Sequence, residues 1–577
     1  MDPIQSIRAR MTDEDVRLLS DIYAPTEVAT PDADAWSNLT LLRDGRIRFY
    51  GHYGKKHIYD TAACDRSYLE SCDGGLSWKR HLDDKRRLGP SVYVPFLDAY
   101  LAVRADETGT YAYLGQDPDD DAPLCFCASA EQYLDIRTPF IMQSRDRILV
   151  VAHETRHALH PTAYFPVLLI SEDGRSWRTV PLEGVPFHRP EAPRGGVRWQ
   201  QNNRENTIAE LSDGRLMMLS RTATDYHYVC YSEDGGESWS EPCPSVFHGT
   251  ATMPQLTKLS DGRLLFLWCN TRPLPELAGA DGVWEDVFTN RDANHAAISE
   301  DDGETWIGFR EMALNPLRCA ADFRSNGGPE DDRDKSVHQF EALELPFGKI
   351  LVAYGQHKVC RRLIIFDINW LYDKNRCEDF LHGLDGVSTQ AYVKSILGGF
   401  RGTRNNPTGV VGHCAYNRTH GAMLVPSPEK NGREVLHICY TDDARLVSNV
   451  GGVTWNFPAA RRGVATVRMR IEGKPVRLSL LDHWVNPCDT TVKSFSHVSA
   501  IITRSMLQSP TPFTEVSLEF DCDRDHVALY VDRRFIAKTR LHGAAPVGLC
   551  YLHVQSAADK PDPHGALISE MRFEAAL

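Results

Sequence analysis

The stretch that decides the fold runs from residue 203 to residue 239 and reads NRENTIAELSDGRLMMLSRTATDYHYVCYSEDGGESW. Its first half alternates apolar and polar residues around a turn at Ser212-Asp213-Gly214, which is typical of an antiparallel hairpin. Its second half, from Tyr226, is a hairpin whose turn holds Asp234 as an acceptor for turn N–H groups, two glycines for positive φ, and Trp239 to pack back under the turn. Two hairpins in succession predict one four-stranded sheet.

This two-part unit recurs along the chain. The Trp-ending turn appears four times, and weaker copies of the unit occur at 92–114 and 342–370. The four turns lie at 71–78, 171–177, 232–239 and 299–306. Sheets that cannot bury both faces alone stack around an axis. The sequence therefore predicts an all-β fold with a six-bladed propeller, with seven blades as the alternative.

The four Trp turns resemble the Asp-box (BNR) repeats of the sialidase, or neuraminidase, superfamily, and the resemblance covers roughly residues 38 to 375. It implies a divergent member with a sialidase-like β-propeller. Asp boxes lie at the periphery of the blades, away from the active site. The resemblance therefore assigns no catalytic role to their aspartates, and it implies the fold more strongly than the function.

Outside the repeats the sequence pattern is different. Residues 1–36 form a short helical lead-in, residues 37–428 the propeller and catalytic domain, and residues 429–577 a C-terminal domain of alternating strands. The last domain is similar to the concanavalin-like β-sandwiches appended to carbohydrate-active propellers, as a scaffold or as a carbohydrate-binding module. Within it, 455–458 and 482–487 either face the active site or seal the domain interface.

Composition narrows the classes of partner. The chain has 577 residues, 42% hydrophobic, with a formal net charge of −14. That balance argues against nucleic acid or a membrane surface as the partner. The first residues lack an apolar core of signal-peptide length, which predicts a cytoplasmic protein. The scattered cysteines favour free thiols, and the oligomeric state is left open.

The resemblance also implies a site. Sialidases bind the substrate carboxylate with three arginines, activate a tyrosine nucleophile with a glutamate and use an aspartate as acid/base. Glu205 and Arg221 flank the first hairpin as the family's glutamate and second arginine do, and Arg291 matches the third. The family's Arg-Ile-Pro motif is absent near residues 36–60, so the first arginine is unassigned. At the tyrosine position this chain has His338 and Gln339, so the retaining sialidase mechanism lacks its nucleophile.

A histidine-rich segment supplies further candidates. His153 and Tyr164 are predicted as catalytic, and Arg156 and His157 as substrate-binding, on a loop above a blade. Arg272 and Gln339 complete the predicted binding residues. The order of His153, Glu154 and His157 imitates a zinc motif, but that motif needs a helix, and Pro161 follows closely. The prediction is therefore no metal and no cofactor.

Three functions remain open from the sequence. The first is an exo-glycosidase, of exo-α-sialidase-like type, which removes a terminal sialic or uronic acid from an acidic glycan in polysaccharide degradation. Glu205 acts there as base or activator, and His338 is a second proton-transfer group. The second is a propeller lyase that eliminates at a uronic acid with a His/Tyr acid–base pair. The third is a non-catalytic glycan-binding propeller.

Overall fold

The computed structural model describes most of the chain and shows it to be mostly β-structure, as the sequence predicts. The described residues are 3–32, 34–52, 68–81, 91–118, 120, 122–155, 164–186, 203–249, 251–272, 291–319, 323–324, 335–355, 357–393, 417–446, 448–507 and 513–576. None of the helices in these ranges has the length and apolarity that crossing a membrane requires.

Six antiparallel sheets of four strands occupy residues 26–367. The sixth sheet takes its outer strand from the beginning of this range, before the strands of the first sheet. Sheet 1 contains β2 (Asp34–Leu41), β3 (Ile47–His52), β4 (Tyr68–Ser71) and β5 (Lys79–His81); sheet 2, β6 (Val92–Val94), β7 (Ala99–Asp106), β8 (Gly109–Gly115) and β9 (Leu124–Ser129); sheet 3, β10 (Phe140–Met142), β11 (Arg147–Thr155), β12 (Tyr164–Ser171) and β13 (Arg178–Pro181); sheet 4, β14 (Thr207–Glu210), β15 (Leu216–Ser220), β16 (Tyr226–Ser232) and β17 (Cys243–His248); sheet 5, β18 (Gln255–Lys258), β19 (Leu264–Trp268), β20 (Ala293–Ser299) and β21 (Ile307–Leu314); sheet 6, β23 (Glu341–Leu345), β24 (Lys349–Tyr354), β25 (Arg362–Asp367) and β1 (Thr26–Ala29).

Sheet 4 contains the stretch that opens the sequence analysis, and its two hairpins form as predicted. Thr207 faces Leu219 across the first hairpin, and Leu216 faces Ser232 across the central pair. The fourth strand begins at Cys243, beyond Trp239, so the second hairpin is longer than its Trp turn.

The four Trp turns share one set of hydrogen bonds. In sheet 4, Asp234 Oδ1 accepts the N–H of Ser238 at 2.9 Å, and Ser232 Oγ accepts the N–H of Gly236 at 2.8 Å. The indole of Trp239 donates to the Gly236 carbonyl at 3.1 Å. The corresponding indole bonds of the other turns measure 2.9, 3.1 and 3.0 Å. The aspartates are thus occupied in holding turns on the outer edges of the sheets.

Apolar clusters join each of these sheets to the next one, and the sixth to the first. The pairs that represent the six junctions are Leu42 with Tyr100, Val103 with Ile148, Leu168 with Met218, Leu219 with Phe266, Leu267 with Val352, and Leu351 with Phe49. Burying one such side chain contributes about 1.5–3 kcal/mol. The sheets therefore form a closed cycle of contacts, called here the six-sheet ring.

The N-terminal segment closes this ring. Helices α1 (Pro3–Arg10) and α2 (Asp13–Asp21) confirm the predicted helical character. Thr12 caps α2 in a reciprocal bond with Asp15, and Ile7 and Leu19 join the core between sheets 1 and 6. The sequence analysis missed β1, which pairs with β25 and completes sheet 6.

The remaining described strands form three sheets, of eight, four and three strands. The first large sheet contains β26 (Asn375–Glu378), β29 (Met423–Pro426), β30 (Glu434–Tyr440), β32 (Arg462–Ile471), β35 (Thr514–Asp521), β36 (His526–Val531), β37 (Arg534–Thr539) and β39 (Asp562–Ala575); the second, β31 (Gly452–Ala460), β33 (Val476–Leu481), β34 (Val498–Ile502) and β38 (Leu549–Ser556); the small sheet, β22 (Phe323–Arg324), β27 (Gln390–Val393) and β28 (Asn417–His420). The two large sheets, called here the C-terminal sheets, share one apolar core that includes Trp455 and Val467.

The C-terminal sheets do not start at a single point of the chain. The predicted boundary between residues 428 and 429 lies inside the hairpin of β29 and β30, and β26 already pairs with β39. Both segments left open by the sequence pack against the ring. Asn456 Nδ2 donates to the Phe309 carbonyl at 3.0 Å, and the Trp484 N–H donates to the Asn270 carbonyl at 2.8 Å. These segments seal the interface.

Candidate functional site

A cavity of about 910 Å³ lies among the first strands of the ring's sheets, with lining residues from β10, β14, β18 and β23. Because these strands run the same way along the cavity, their starts meet at one end and their ends at the other. The end near the strand starts, called the Glu205 end, includes Arg137, Asn206, Gln255 and Glu341. The other, called the Glu210 end, includes Gln143, Glu210, Ser260 and Glu344.

The backbone at the Glu205 end is strained. Asn203, Glu205, Ala251 and Gln339 have φ between 48° and 72°, and all four are buried. Non-glycine residues in the left-handed region are uncommon, and each costs of order 1–3 kcal/mol unless its surroundings fix it. Such residues cluster at functional sites, and here one of them lies just before each of the inner strands β14, β18 and β23. The strain interrupts strand alternation and turns the side chains of Glu205 and Gln339 toward each other.

Glu205 and Arg221 form a buried ion pair at this end. The hairpin of β14 and β15 brings them together, and the Asn203 N–H donates to the Arg221 carbonyl at 2.7 Å. Gln339 Nε2 donates to Glu205 Oε1 at 2.9 Å. Burial alone would raise the pKa of Glu205, but the charges of Arg221 and Arg204 hold it well below its usual range. Glu205 is therefore a carboxylate at neutral pH.

Arg221 and Arg204 lie near this carboxylate, and Arg291 lies near Arg221. Burial lowers the pKa of Arg221 to about 10, and the positive charges of Arg291 and Arg204 act in the same direction. Arg291 Nη2 donates to the Ala251 carbonyl at 2.5 Å, which ties the start of β20 to the entrance of β18. The structure thus brings together the predicted Glu205, Arg221, Arg291 and Gln339.

His338 belongs to the same group. Its Nδ1 lies 2.7 Å from Ser336 Oγ, and its Nε2 lies 3.5 Å from Gln339 Nε2. Its positive charge, when protonated, also lowers the pKa of Glu205. A histidine beside a carboxylate can hold or move a proton near neutral pH. His338 therefore lies beside Gln339, which bonds Glu205, and its role in proton transfer stays a prediction.

The structure adds Arg204 and Asp135, which sequence reasoning missed. Arg204 Nη2 donates to Asp135 Oδ1 at 2.6 Å, and the guanidinium lies 4.5 Å from the centre of the Tyr164 ring. Burial alone would lower the pKa of Arg204, but Asp135 outweighs it and raises it. Tyr164 thus packs under an arginine near Glu205. Regular alternation from Glu205 would point Arg204 away from the site, so no sequence pattern indicated it.

His153 is fully buried in β11, where its backbone exchanges hydrogen bonds with Leu134 at 2.8 and 2.9 Å. Burial lowers the pKa of His153 to about 4, so the ring is neutral at pH 7. His153 thus lies within the sheet and not on a loop above it.

Arg137 and Glu341 are further additions. The Arg137 guanidinium contacts Gln255 Oε1 at 3.3 Å and Glu341 Oε1 at 3.9 Å. Burial raises the pKa of Glu341 to about 7, although Arg137 acts against that rise. A carboxyl group that titrates near neutrality in a cavity is a candidate acid or base. The available signal was a charged residue, Glu341, at the start of the inner strand Glu341–Leu345.

Arg272 is not part of this group. It pairs with Asp225 and lies 5.4 Å from the centre of the Phe495 ring, at the interface with the C-terminal sheets. The sequence pattern did not predict the ion pair between Arg272 and Asp225. Arg156 and His157 lie outside the described residues. Tyr354, an alternative to the missing tyrosine, is buried in the core between sheets 5 and 6.

The family comparison agrees with the repeats. Residues 135–318 match the model of the BNR repeat-like domain. This segment of the chain is therefore similar to a BNR repeat-like domain, the type of repeat that the four Trp turns resemble. This confirms the resemblance predicted from the four turns. The BNR repeat-like match begins at Asp135 and ends at Arg318, so it includes Glu205, Arg221 and Arg291 but not His338 or Gln339. A search of curated proteins gives no match.

Among solved structures, the chain is similar to three that have sialidase or trans-sialidase in their names. They are a Trypanosoma rangeli sialidase in complex with sialic acid (12% identity, 97% of this chain and 95% of that one, TM-score 0.36), an intramolecular trans-sialidase from Ruminococcus gnavus in complex with oseltamivir carboxylate (14%, 60% and 97%, 0.34), and a leech intramolecular trans-sialidase complexed with 2,7-anhydro-Neu5Ac (12%, 63% and 73%, 0.34). These values are too low to assign an activity.

Proposed function

We propose that this protein is a carbohydrate-active enzyme of sialidase-like type that removes a terminal acidic sugar, a sialic or uronic acid, from a glycan. The observation that carries the proposal is the buried group of Glu205, Arg221 and Arg204, with the charge of Arg291 close enough to Arg221 to lower its pKa. Guanidinium groups bind carboxylates through paired hydrogen bonds and keep their charge when buried. Buried arginines next to Asn206, which lines the cavity, suit a sugar that carries a carboxylate.

In the proposed hydrolysis, Glu205 is the base and His338 the acid. The low pKa of Glu205 keeps it unprotonated at neutral pH, the state in which a carboxylate can accept a proton from the attacking water. Water then attacks the anomeric carbon while the bond to the leaving oxygen breaks, and His338 gives that oxygen its proton. Gln339 orients Glu205 through the bond at 2.9 Å. The removal of a terminal sugar, as opposed to an internal one, follows from the resemblance alone.

Elimination at a uronic acid is the second candidate. Gln339, and not a tyrosine, contacts Glu205, and His338 lies next to it. A base takes the C5 proton while arginines neutralise the sugar carboxylate, and the C4–O bond breaks as the C4–C5 double bond forms. The leaving oxygen takes a proton back from the protonated base and departs as an alcohol. His338 would be that base, so this reaction would depend on His338 more than on Glu205.

We further propose the architecture predicted from the sequence. The closed cycle of six four-stranded sheets supports a six-bladed propeller with a central cavity. The shared core of the C-terminal sheets supports a β-sandwich packed on its side. The propeller would supply the acidic-glycan site, and the sandwich would brace it through Asn456 and Trp484.

One experiment separates these functions. The protein is incubated with sialylated and with uronic-acid oligosaccharides, and released reducing sugar is measured beside the ultraviolet absorbance of a new double bond. Release without absorbance, lost in Glu205→Gln, supports hydrolysis. Absorbance growth that is lost in His338→Ala identifies elimination. A protein that binds these glycans but produces neither signal is a binding module, and the enzyme proposal is then wrong.

A further inference from the structure

A second cluster of chemically active side chains lies far from the cavity, where the ring meets the C-terminal sheets. It consists of His248, Asp482 and His483, all buried. His248 is the last residue of β17, and the other two directly follow β33. Two distant parts of the chain thus present two imidazoles and a carboxylate to each other.

The distances within this cluster are short enough for the three residues to share one metal ion. One donor atom from each of the three residues lies within 4.8 Å of the other two. His248 Nε2 is 3.1 Å from Asp482 Oδ2, and His483 Nδ1 is 2.6 Å from Asp482 Oδ1. Donors bound at about 2.0–2.2 Å in a tetrahedron around zinc stand roughly 3.3 Å apart. The donors are therefore close to the spacing that a shared ion requires.

Hydrogen bonding alone leaves this cluster unsatisfied. Each histidine directs one ring nitrogen to Asp482, but His248 Nδ1 and His483 Nε2 are buried without a hydrogen-bond partner among the described residues. The nitrogens that face Asp482, Nε2 of His248 and Nδ1 of His483, are the ones that would bind an ion, and the centres of the two rings lie 4.1 Å apart. The opposite nitrogens would bind a further polar partner, such as ordered water.

The surroundings hold the carboxylate in place. His497 Nε2 lies 3.2 Å from Asp482 Oδ2, and its Nδ1 lies 3.1 Å from the His542 carbonyl. The nearby positive charge of Arg272 is paired with Asp225. Metal ligands in proteins are commonly oriented by a further polar residue of this kind.

We propose that His248, Asp482 and His483 bind a divalent transition-metal ion of the zinc type, which links the six-sheet ring to the C-terminal sheets. Two imidazoles and one carboxylate suit zinc or a neighbouring first-row metal better than calcium or magnesium, which prefer oxygen ligands. Three protein donors leave a fourth position for water. This site is separate from the arginine cluster and does not depend on the proposed function.

The test uses the full-length chain, freed of metal with a chelator and titrated with Co²⁺ and Zn²⁺. We expect visible d–d absorption that saturates near one Co²⁺ per chain and is displaced by Zn²⁺. Because an ion that binds only the folded state stabilises it, Zn²⁺ should also raise Tm. If the wild-type protein shows no saturable Co²⁺ spectrum and no Zn²⁺-dependent rise in Tm, the proposal is overturned.

Variants locate the ion. His483→Ala and Asp482→Asn should lose the Co²⁺ spectrum, and His497→Ala, which removes only a positioning residue, should weaken binding by about 10- to 100-fold. The matched control is His437→Ala, a histidine of the C-terminal sheets outside the cluster, which should bind as the wild type does. If His483→Ala fails to fold, the wild-type titration still decides. Equal binding by the cluster variants and the control would identify adventitious surface binding and overturn the site.

Discussion

The two ends of the central cavity carry glutamates in opposite circumstances. At the Glu205 end, Glu205 is buried against arginines on strained backbone, and the pKa of Glu341 is raised to about 7. At the Glu210 end, Glu210 accepts the Gln143 N–H at 2.9 Å, and Glu344 accepts the Ser260 N–H at 2.6 Å. These latter bonds fasten the turn of one sheet to the inner strand of the next. The proposed function assigns the reaction to the Glu205 end, whereas the bonds at the Glu210 end are structural.

The largest expected effect is on activity and comes from Glu205→Gln. The amide keeps the shape of the side chain but cannot take a proton, so we expect kcat/KM on the acidic-glycan substrate to fall by about 100- to 10,000-fold. The measurement is kcat/KM of wild type and variant well below both melting temperatures. Activity within threefold of wild type would remove Glu205 from the mechanism and with it the distinction between the two ends.

The next effect concerns stability. Arg221→Met leaves the buried Glu205 without its ion-pair partner, and breaking a buried pair costs about 3–5 kcal/mol. Combining it with Glu205→Gln should restore a substantial part of that loss, because no uncompensated charge is left at the pair. The free energies of unfolding of the two single variants and the double variant test this in a double-mutant cycle. Additive losses would show that the ion pair is not coupled.

The third effect is a pH dependence of stability through Glu341. Burial raises its pKa from 4.5 to about 7, so the folded state binds a proton more tightly than the unfolded state. Stability from this group is present below about pH 4.5 and is lost as the pH rises toward 7, by roughly 3 kcal/mol. Glu341→Gln should remove this slope and be the more stable protein above pH 7.

Denaturant unfolding of wild type and variant between pH 4.5 and 8 measures this difference. The comparison with wild type is needed because burial also raises the pKa of Glu311 to about 7. The Glu311 contribution is present in both proteins and cancels. Parallel pH profiles would mean that Glu341 is ionised in the folded state and that its end of the cavity is wetter than its burial indicates.

The sequence predicted local structure well because the deciding signals are local. Alternation and the turn around Asp234 were enough for the four-stranded unit, and the same turn chemistry recurs in three other sheets. Strand β1 was missed because its partner β25 is more than 330 residues away. Four residues with little alternation carry no sign of such a pairing.

The candidate site was predicted only in part, because sequence spacing predicts local contacts and not distant ones. Glu205 and Arg221 are linked by one hairpin, so their proximity follows from sequence spacing. Positive φ at Asn203 and Glu205, on either side of Arg204, directs its side chain into the site. The residue types at these positions do not predict such φ values. The cluster around Asp482 joins segments more than 230 residues apart, and His248 alone looks like an ordinary strand residue. Such contacts are set by tertiary packing and not by spacing.

The smallest effect is expected at the structural end of the cavity. Glu210→Gln keeps one carbonyl oxygen to accept the Gln143 N–H but weakens the bond from Ser144, so stability should fall by about 0.5–1.5 kcal/mol. Glu210 lies on β14, the inner strand that follows Glu205 in sequence, so this variant is also the matched control for Glu205→Gln. Its kcat/KM should stay within twofold of wild type. If Glu210→Gln reduced activity as strongly as Glu205→Gln, carboxylates at both ends would serve the reaction, and the division of the cavity into a reactive and a structural end would fail.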